Sequence, residues 1–119
     1  MRGSHLFDAT MSWDDAQQHC IGLGGRLLEI RTQEELGRAI QLQLDFEIGF
    51  VFMWIGGEYD STREEWIWSS NSDAINLTIF SSIEGLDLNG DGCVEFYQGS
   101  LSSYNCNFPN YVACDYVFV

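Results

Sequence analysis

The first pattern that indicates the fold of this chain lies in the stretch Ser12-Trp13-Asp14-Asp15-Ala16-Gln17-Gln18-His19-Cys20. Its apolar positions follow the spacing of one helix face: Trp13, Ala16, Cys20 and then Leu23. Ser12 stands directly before this run and Asp15 follows three residues later, which is the arrangement of a capping box. The stretch therefore predicts a first helix that ends at the Gly24-Gly25 pair.

A second capping signal lies further along the chain, where Glu35 follows Thr32 by three residues. The run that opens there has apolar residues on one face: Leu36, Ala39, Ile40 and Leu44. This pattern predicts a second helix near Gln33 to Leu44.

The remainder of the chain changes in character. Clusters of aromatic and β-branched residues at 52–55, 65–68, 93–97 and 111–118 are bounded by Gly, Ser and Asn, and they predict short strands of an antiparallel sheet. Between Ser69 and Gly92 the chain is rich in Ser, Asn, Asp and Gly, with few periodic apolar positions. Loops of this length in compact domains are usually functional or disordered, so we predict the functional region here.

Composition restricts the class of protein. The 119 residues fit one domain, and the net charge of -13 with 45% hydrophobic residues indicates an acidic folded protein. A negative surface repels phosphate backbones and anionic lipids, which excludes nucleic acid as a partner. Residues 1–5 look like an expression leader, which leaves 6–119 as the domain. No run approaches the roughly 20 apolar residues of a membrane span, so we expect no membrane insertion.

The four cysteines are Cys20, Cys93, Cys106 and Cys114. Their number is even and no Cys-x-x-Cys pair occurs, which favours disulfides over a zinc site or a redox motif. Disulfides place the chain outside the cytosol. Three pairings of four cysteines exist, and spacing alone does not choose among them.

The order of several motifs resembles the C-type lectin-like domain. They are Ser12-Trp13-x-x-Ala16-x-x-x-Cys20, Gly25-Arg26-Leu27, Glu34-Glu35, Trp54-Ile55-Gly56-Gly57, Trp66-x-Trp68-Ser69, Cys93-Val94-Glu95, Cys106 and Ala113-Cys114. The resemblance covers nearly the whole chain. It implies an α+β fold with two helices packed on small antiparallel sheets, a long loop region, and disulfides that join Cys20 to Cys114 and Cys93 to Cys106. It also implies that Trp54, Ile55, Trp66 and Trp68 lie in the core.

Relatives in this family that bind sugar through calcium carry a Glu-Pro-Asn or Gln-Pro-Asp triplet in the long loop and an Asn-Asp pair before the third cysteine. This chain has Glu84-Gly85-Leu86 and Leu101-Ser102-Ser103 at these places, and its one proline, Pro109, follows the loop. Hydroxyl groups thus replace the amide and carboxylate ligands that a hard cation prefers. We therefore do not expect the family's usual chelation of sugar by calcium.

The segment Asp87-Leu88-Asn89-Gly90-Asp91 places oxygen ligands at alternate positions, like the opening half of an EF-hand loop. Position twelve of such a loop is Gln98 rather than a bidentate Glu, so the match is partial. Asp60 and Glu64 fall near an auxiliary calcium site of the resembled family. Two interpretations stay open: Ca²⁺ bound by Asp87, Asn89 and Asp91, with Asp60 and Glu64 at the auxiliary site, or an ordinary Asp/Asn/Gly turn.

Together these features predict a lectin-type module for extracellular, immune-type recognition, in a secreted protein or the extracellular part of a membrane protein. A glycan is the first ligand expected, and the predicted ligand-binding residues are Glu84, Asp87, Asn89, Asp91, Ser103 and Tyr104. Tyr104 or Phe80 would offer a face for stacking. The alternatives are calcium-independent binding of a cell-surface protein, as in receptor-like members of the resembled family, or binding of mineral or ice. This interpretation allows a homodimer, and no catalytic pattern indicates an enzyme.

Asn76-Leu77-Thr78 is an acceptor sequence for N-glycosylation. His5 and His19 are too few and too scattered for a catalytic triad or a zinc site, and we expect His19 to be a surface or packing residue.

Overall fold

The computed structural model describes residues 2–46, 51–87 and 92–117. Its helices and strands follow in this order: β1 (Arg2–Met11), α1 (Trp13–Gly22), β2 (Gly25–Leu27), α2 (Gln33–Leu44), β3 (Met53–Asp60), β4 (Glu65–Trp68), a 3-10 turn (Leu77–Ile79), β5 (Ser82–Gly85), β6 (Cys93–Tyr97), β7 (Ser100–Tyr104) and β8 (Asn110–Val117).

Both predicted helices are confirmed together with their caps. The Ser12 hydroxyl accepts a hydrogen bond from the backbone N–H of Asp15 at the start of α1. Both halves of the capping box between Thr32 and Glu35 form at the start of α2, each at 3.1 Å. Gly24, just after α1, has a φ of 82°, a conformation that glycine adopts without steric cost. Capping depends on neighbours in sequence, which is why the local pattern predicts it well.

The strands form an eight-stranded sheet in the order β1-β8-β3-β6-β7-β5, with β2 also paired to β8 and β4 to β3. The prediction of antiparallel sheets needs one correction: β3 pairs with β8, and β5 with β7, in parallel. These parallel pairs join segments that are distant in sequence, a feature that local hydrophobic patterns do not report.

Four strands lie outside the predicted clusters: β1, β2, β5 and β7. β5 and the 3-10 turn give regular structure to part of the segment predicted as a loop. Residues 2–5, which the sequence sets apart as a leader, lie in β1, where Gly3, Ser4 and His5 pair with β8. Backbone pairing requires no particular side-chain pattern, so composition does not reveal it.

The core has two parts. One lies under α1 and gathers Trp13, Trp54 and both members of the disulfide Cys20–Cys114. The other lies under α2 and includes Ile55 and Trp68. The predicted burial is thus confirmed for Trp54, Ile55 and Trp68, while Trp66 is half-buried.

The two indole N–H groups in the first part of the core are satisfied by backbone oxygens. Trp13 Nε1 donates to the Ile55 carbonyl and Trp54 Nε1 donates to the Met11 carbonyl, both at 2.9 Å. These bonds fasten α1 and the end of β1 to β3. Within the described residues, neither helix is long and apolar enough to cross a membrane.

Candidate ligand-binding site

One edge of the sheet brings several of the predicted ligand-binding residues together. Glu84 lies on β5 and Asp87 follows it, and both are exposed. Ser103 and Tyr104 lie at the end of β7, which pairs with β5 through Ser82–Ser100 and Gly85–Ser102. The parallel pair therefore places two separate parts of the sequence at a common edge. Asn89 and Asp91 lie outside the described residues.

Ser103 and Asp87 are in direct contact. The Ser103 hydroxyl accepts a hydrogen bond from the Asp87 backbone N–H at 2.9 Å and donates one to the Asp87 carbonyl at 3.0 Å. A second carbonyl oxygen, that of Gly85, lies 3.4 Å from the same hydroxyl. The hydroxyl of Ser103 thus fastens the chain after β5 to β7, and its proton is donated within the protein.

Ser102 is engaged in the same way by a buried carboxylate on β6. The Ser102 hydroxyl donates to Oε1 of Glu95 at 3.0 Å, and the side-chain amide of Asn110 donates to Oε2 at 2.8 Å. Glu95 and Asn110 are both buried. Through Glu95 these bonds link β6 to β7 and to β8. Glu95 belongs to the Cys-Val-Glu motif of the sequence, but the motif alone assigns it no structural role.

Two large aromatic side chains are exposed beside this edge. Tyr104 is 46% exposed and Phe108 is 44% exposed. Their ring centroids are 4.9 Å apart with an interplanar angle of 83°, an edge-to-face contact. They flank Cys106, whose disulfide to Cys93 holds the turn on the sheet. Exposed aromatic rings that are held rigidly are typical of binding surfaces.

Sequence reasoning found only one member of this aromatic pair. Tyr104 was predicted as a contact, whereas Phe108 was not, although the turn-rich run Asn105-Cys106-Asn107-Phe108-Pro109 would place an aromatic residue at the surface. Phe80, the other residue predicted to offer a stacking face, is only 8% exposed and packs in the core under α2. That prediction is wrong, because Phe80 anchors the long segment to the core instead.

The predicted metal ligands that the structure describes do not form one cluster. Oδ1 of Asp60 accepts hydrogen bonds from the backbone N–H groups of Thr62 and Arg63, at 2.9 and 3.3 Å. Glu64 is exposed on the turn that follows, with a φ of 56°. Among the described residues no group of three or more His, Cys, Asp or Glu side chains could hold a metal ion. Calcium binding by residues 87–91 stays a prediction.

Carboxylates gather at the end of β3. Burial, and then the negative charges of Asp60 and Asp14, raise the pKa of Glu58 above its ordinary value. Glu58 pairs across the sheet with Cys93, and Cys93 pairs with Tyr104. Glu58 on β3 and Tyr104 on β7 are therefore both held next to Cys93 on β6, which lies between these two strands. Nothing in the local sequence around Glu58 predicts this arrangement.

Comparison with known proteins identifies the family. The sequence model of the lectin C-type domain matches residues 9–116. The chain is 30% identical over 114 residues to killer cell lectin-like receptor subfamily B member 1B allele A of Rattus norvegicus, covering 92% of this chain and 47% of that protein. It is 27% identical over 119 residues to C-type lectin domain family 7 member A of Homo sapiens, covering 98% and 47%. The chain thus spans about half the length of these relatives.

Solved structures show the same fold. Human lithostathine superposes with a TM-score of 0.83 at 20% identity, covering 98% of this chain and 92% of that one. The natural killer cell receptor Ly49C gives a TM-score of 0.69 at 21% identity, covering 96% and 84%. With the match of the family model over residues 9–116, the two helices and the two disulfides, this chain belongs to the C-type lectin domain family.

Proposed function

We propose that this domain is an extracellular recognition module that binds its ligand without a calcium bridge, at a surface centred on Tyr104 and Phe108. The observation that carries the proposal is the exposed edge-to-face contact of these two rings beside the disulfide Cys93–Cys106. A rigid aromatic surface loses little conformational freedom on binding. Two disulfides support an extracellular location.

We propose binding without a calcium bridge because of the residue types and hydrogen bonds at positions 102 and 103. Ser102 donates to Glu95, and Ser103 is bonded to the backbone of Asp87. Neither residue supplies the carboxylate or amide oxygen that a hard cation prefers, and each hydroxyl is held in place by a hydrogen bond within the protein. Direct contacts must then provide the affinity.

A glycan is the ligand that we favour. The apolar face of a sugar ring packs on an aromatic ring, and the exposed carboxylate of Glu84 on the same sheet edge would accept hydrogen bonds from sugar hydroxyls. A glycan array with and without a calcium chelator tests this. We expect chelator-resistant binding that Tyr104→Ala and Phe108→Ala each reduce by roughly tenfold or more.

Phe52→Ala is the matched control, because Phe52 is 46% exposed and also contacts a tyrosine ring, Tyr97, at 4.9 Å. This variant should leave binding unchanged. Equal losses from Phe52→Ala and Phe108→Ala would show a general effect of removing a surface ring. Binding that disappears with the chelator would contradict the proposal.

A protein ligand is the second candidate. It is supported by the similarity to killer cell lectin-like receptors and by the net charge of -13, which favours a basic partner surface. In that case the glycan array stays empty, while binding to a cell-surface protein weakens with added salt and with Phe108→Ala.

A further inference from the structure

The long segment between β4 and β5 contains the one Asn-x-Ser/Thr triplet of the chain, Asn76-Leu77-Thr78. We propose that Asn76 carries an N-linked oligosaccharide. Such triplets also occur by chance, so the structural setting of the asparagine decides whether a glycan fits the folded protein.

The amide of Asn76 is oriented for modification. Asn76 is exposed, and its Oδ1 accepts hydrogen bonds from the backbone N–H and the hydroxyl of Thr78, at 3.2 and 2.6 Å. The Oδ1 atom is thereby turned toward the protein. Within the described residues, Nδ2 of Asn76 donates no hydrogen bond, so replacing one of its protons by a sugar breaks no contact there.

The backbone on both sides of Asn76 is anchored in the core. Ile75 is 6% exposed and its N–H donates to the Trp66 carbonyl at 2.9 Å, and Phe80 is 8% exposed. These anchors hold Asn76 at the surface. An oligosaccharide attached before folding would therefore project into solvent and leave the packing of Ile75 and Phe80 intact.

The transfer needs a polyprenyl-pyrophosphate-linked oligosaccharide as the co-reactant. A bond forms between Nδ2 of Asn76 and the anomeric carbon, and the bond from that carbon to the pyrophosphate oxygen breaks. The polyprenyl pyrophosphate leaves with the bonding electron pair, and Nδ2 gives up one proton to a base of the transferase. This reaction belongs to the secretory route, in which disulfides such as Cys20–Cys114 also form.

The test is to secrete the chain from eukaryotic cells behind a secretion signal and to map its peptides by mass spectrometry. We expect most molecules to carry a glycan on the peptide that contains Asn76, and peptide N-glycosidase to leave aspartate at that position. Asn76→Gln and Thr78→Ala should each abolish the modification, whereas Thr78→Ser should retain it.

Asn107→Gln is the matched control, because Asn107 is exposed and is not part of an acceptor triplet. This variant should keep the glycan on Asn76. An unmodified Asn76 in the secreted wild-type protein would overturn the proposal, as would a glycan mass that persists in Thr78→Ala. The measurement on the wild-type protein tests the proposal even if a variant does not fold.

Discussion

The guanidinium of Arg31 donates a hydrogen bond to Oε1 of Glu29 at 2.9 Å, and the side chain of Glu29 is fully buried. The same guanidinium contacts Oδ1 of Asn71 at 3.0 Å and Oδ2 of Asp73 at 2.7 Å. Arg31 therefore neutralises a buried carboxylate and also fixes the first turn of the long segment. The hydrogen bond from Arg31 holds the pKa of Asp73 below its ordinary value.

Replacing Arg31 with Met should lower the free energy of unfolding by about 3 kcal/mol, because it leaves the buried charge of Glu29 with a weaker partner. We expect the low end of the usual range, since Arg26 remains 3.4 Å from Glu29. Denaturant unfolding measures the loss. Arg38→Met is the control: Arg38 is exposed and its pair with Glu34 should contribute no more than about 0.5 kcal/mol. Similar losses in both variants would contradict this interpretation.

Gln43 joins α2 to the sheet. Its buried amide donates to the carbonyls of Val51 and Phe96, at 3.0 and 2.9 Å, and its Oε1 accepts from the N–H of Gln98. Gln43→Met should cost about 3 kcal/mol of stability, since it leaves buried backbone groups unpaired.

Gln41→Met, on the same helix, is the comparison for Gln43. The exposed side chain of Gln41 donates a hydrogen bond to Oδ1 of Asp45 at 2.7 Å. Its replacement should cost no more than about 0.5 kcal/mol by the same denaturant measurement. If Gln43→Met proves as mild as Gln41→Met, the three bonds of Gln43 do not stabilise the fold.

Glu58 should make the free energy of unfolding depend on pH. Burial first, and then Asp60 and Asp14, raise its pKa in the folded state, so the folded protein binds this proton more tightly than the unfolded chain does. Glu58 therefore costs no stability below its unfolded pKa, about 4.3, and its cost grows as pH rises through the folded pKa.

Glu58→Gln should accordingly stabilise the protein at pH 7 by less than about 1 kcal/mol, since solvent screens a partly exposed group, and the gain should vanish in acid. Thermal unfolding at neutral and acidic pH measures both values. Glu64→Gln, which removes an equal charge at an exposed position, is the control. A gain that is the same at both pH values would show that charge is not the cause.

Restoring the family's amide and carboxylate by Ser102→Asn with Ser103→Asp should not create sugar binding. A carboxylate at 103 cannot donate to the Asp87 carbonyl, which now accepts from Ser103 at 3.0 Å, so the edge between β5 and β7 should lose roughly 0.5 to 1.5 kcal/mol. Ser103→Thr, which keeps a hydroxyl, should lose less. Calorimetry with mannose and galactose is the measurement. Chelator-sensitive binding of either sugar by the native domain would show that our interpretation of the lost site is wrong.

Calcium should bind to the segment 87–91, where the sequence clusters hard oxygen ligands in a negative field. Titration calorimetry should detect it, and Asp91→Asn should weaken it by roughly tenfold through the loss of one charged ligand. Asp8→Asn removes an equal charge from an exposed position on β1 and should change little. If Asp91→Asn leaves the calcium affinity unchanged, the segment 87–91 is an ordinary solvated turn.

The sequence by itself determined the parts of this protein that depend on near neighbours. The N-cap at Ser12, the capping box at Thr32 and the helix periodicity act over a few residues, so both helices could be predicted, and α2 was predicted close to its observed bounds. The cysteines and the ordered motifs were enough to predict the family and the pairing of Cys20 with Cys114.

Only the tertiary structure decided which residues meet at the proposed binding edge. The parallel pairing of β5 with β7 places Asp87 against Ser103, and the turn closed by Cys106 places Phe108 against Tyr104. Phe80 is likewise buried because it packs in the core under α2. Each of these contacts joins residues whose relative positions depend on how strands pair, and pairing satisfies backbone groups that are alike at every residue. Side-chain patterns therefore do not encode it locally.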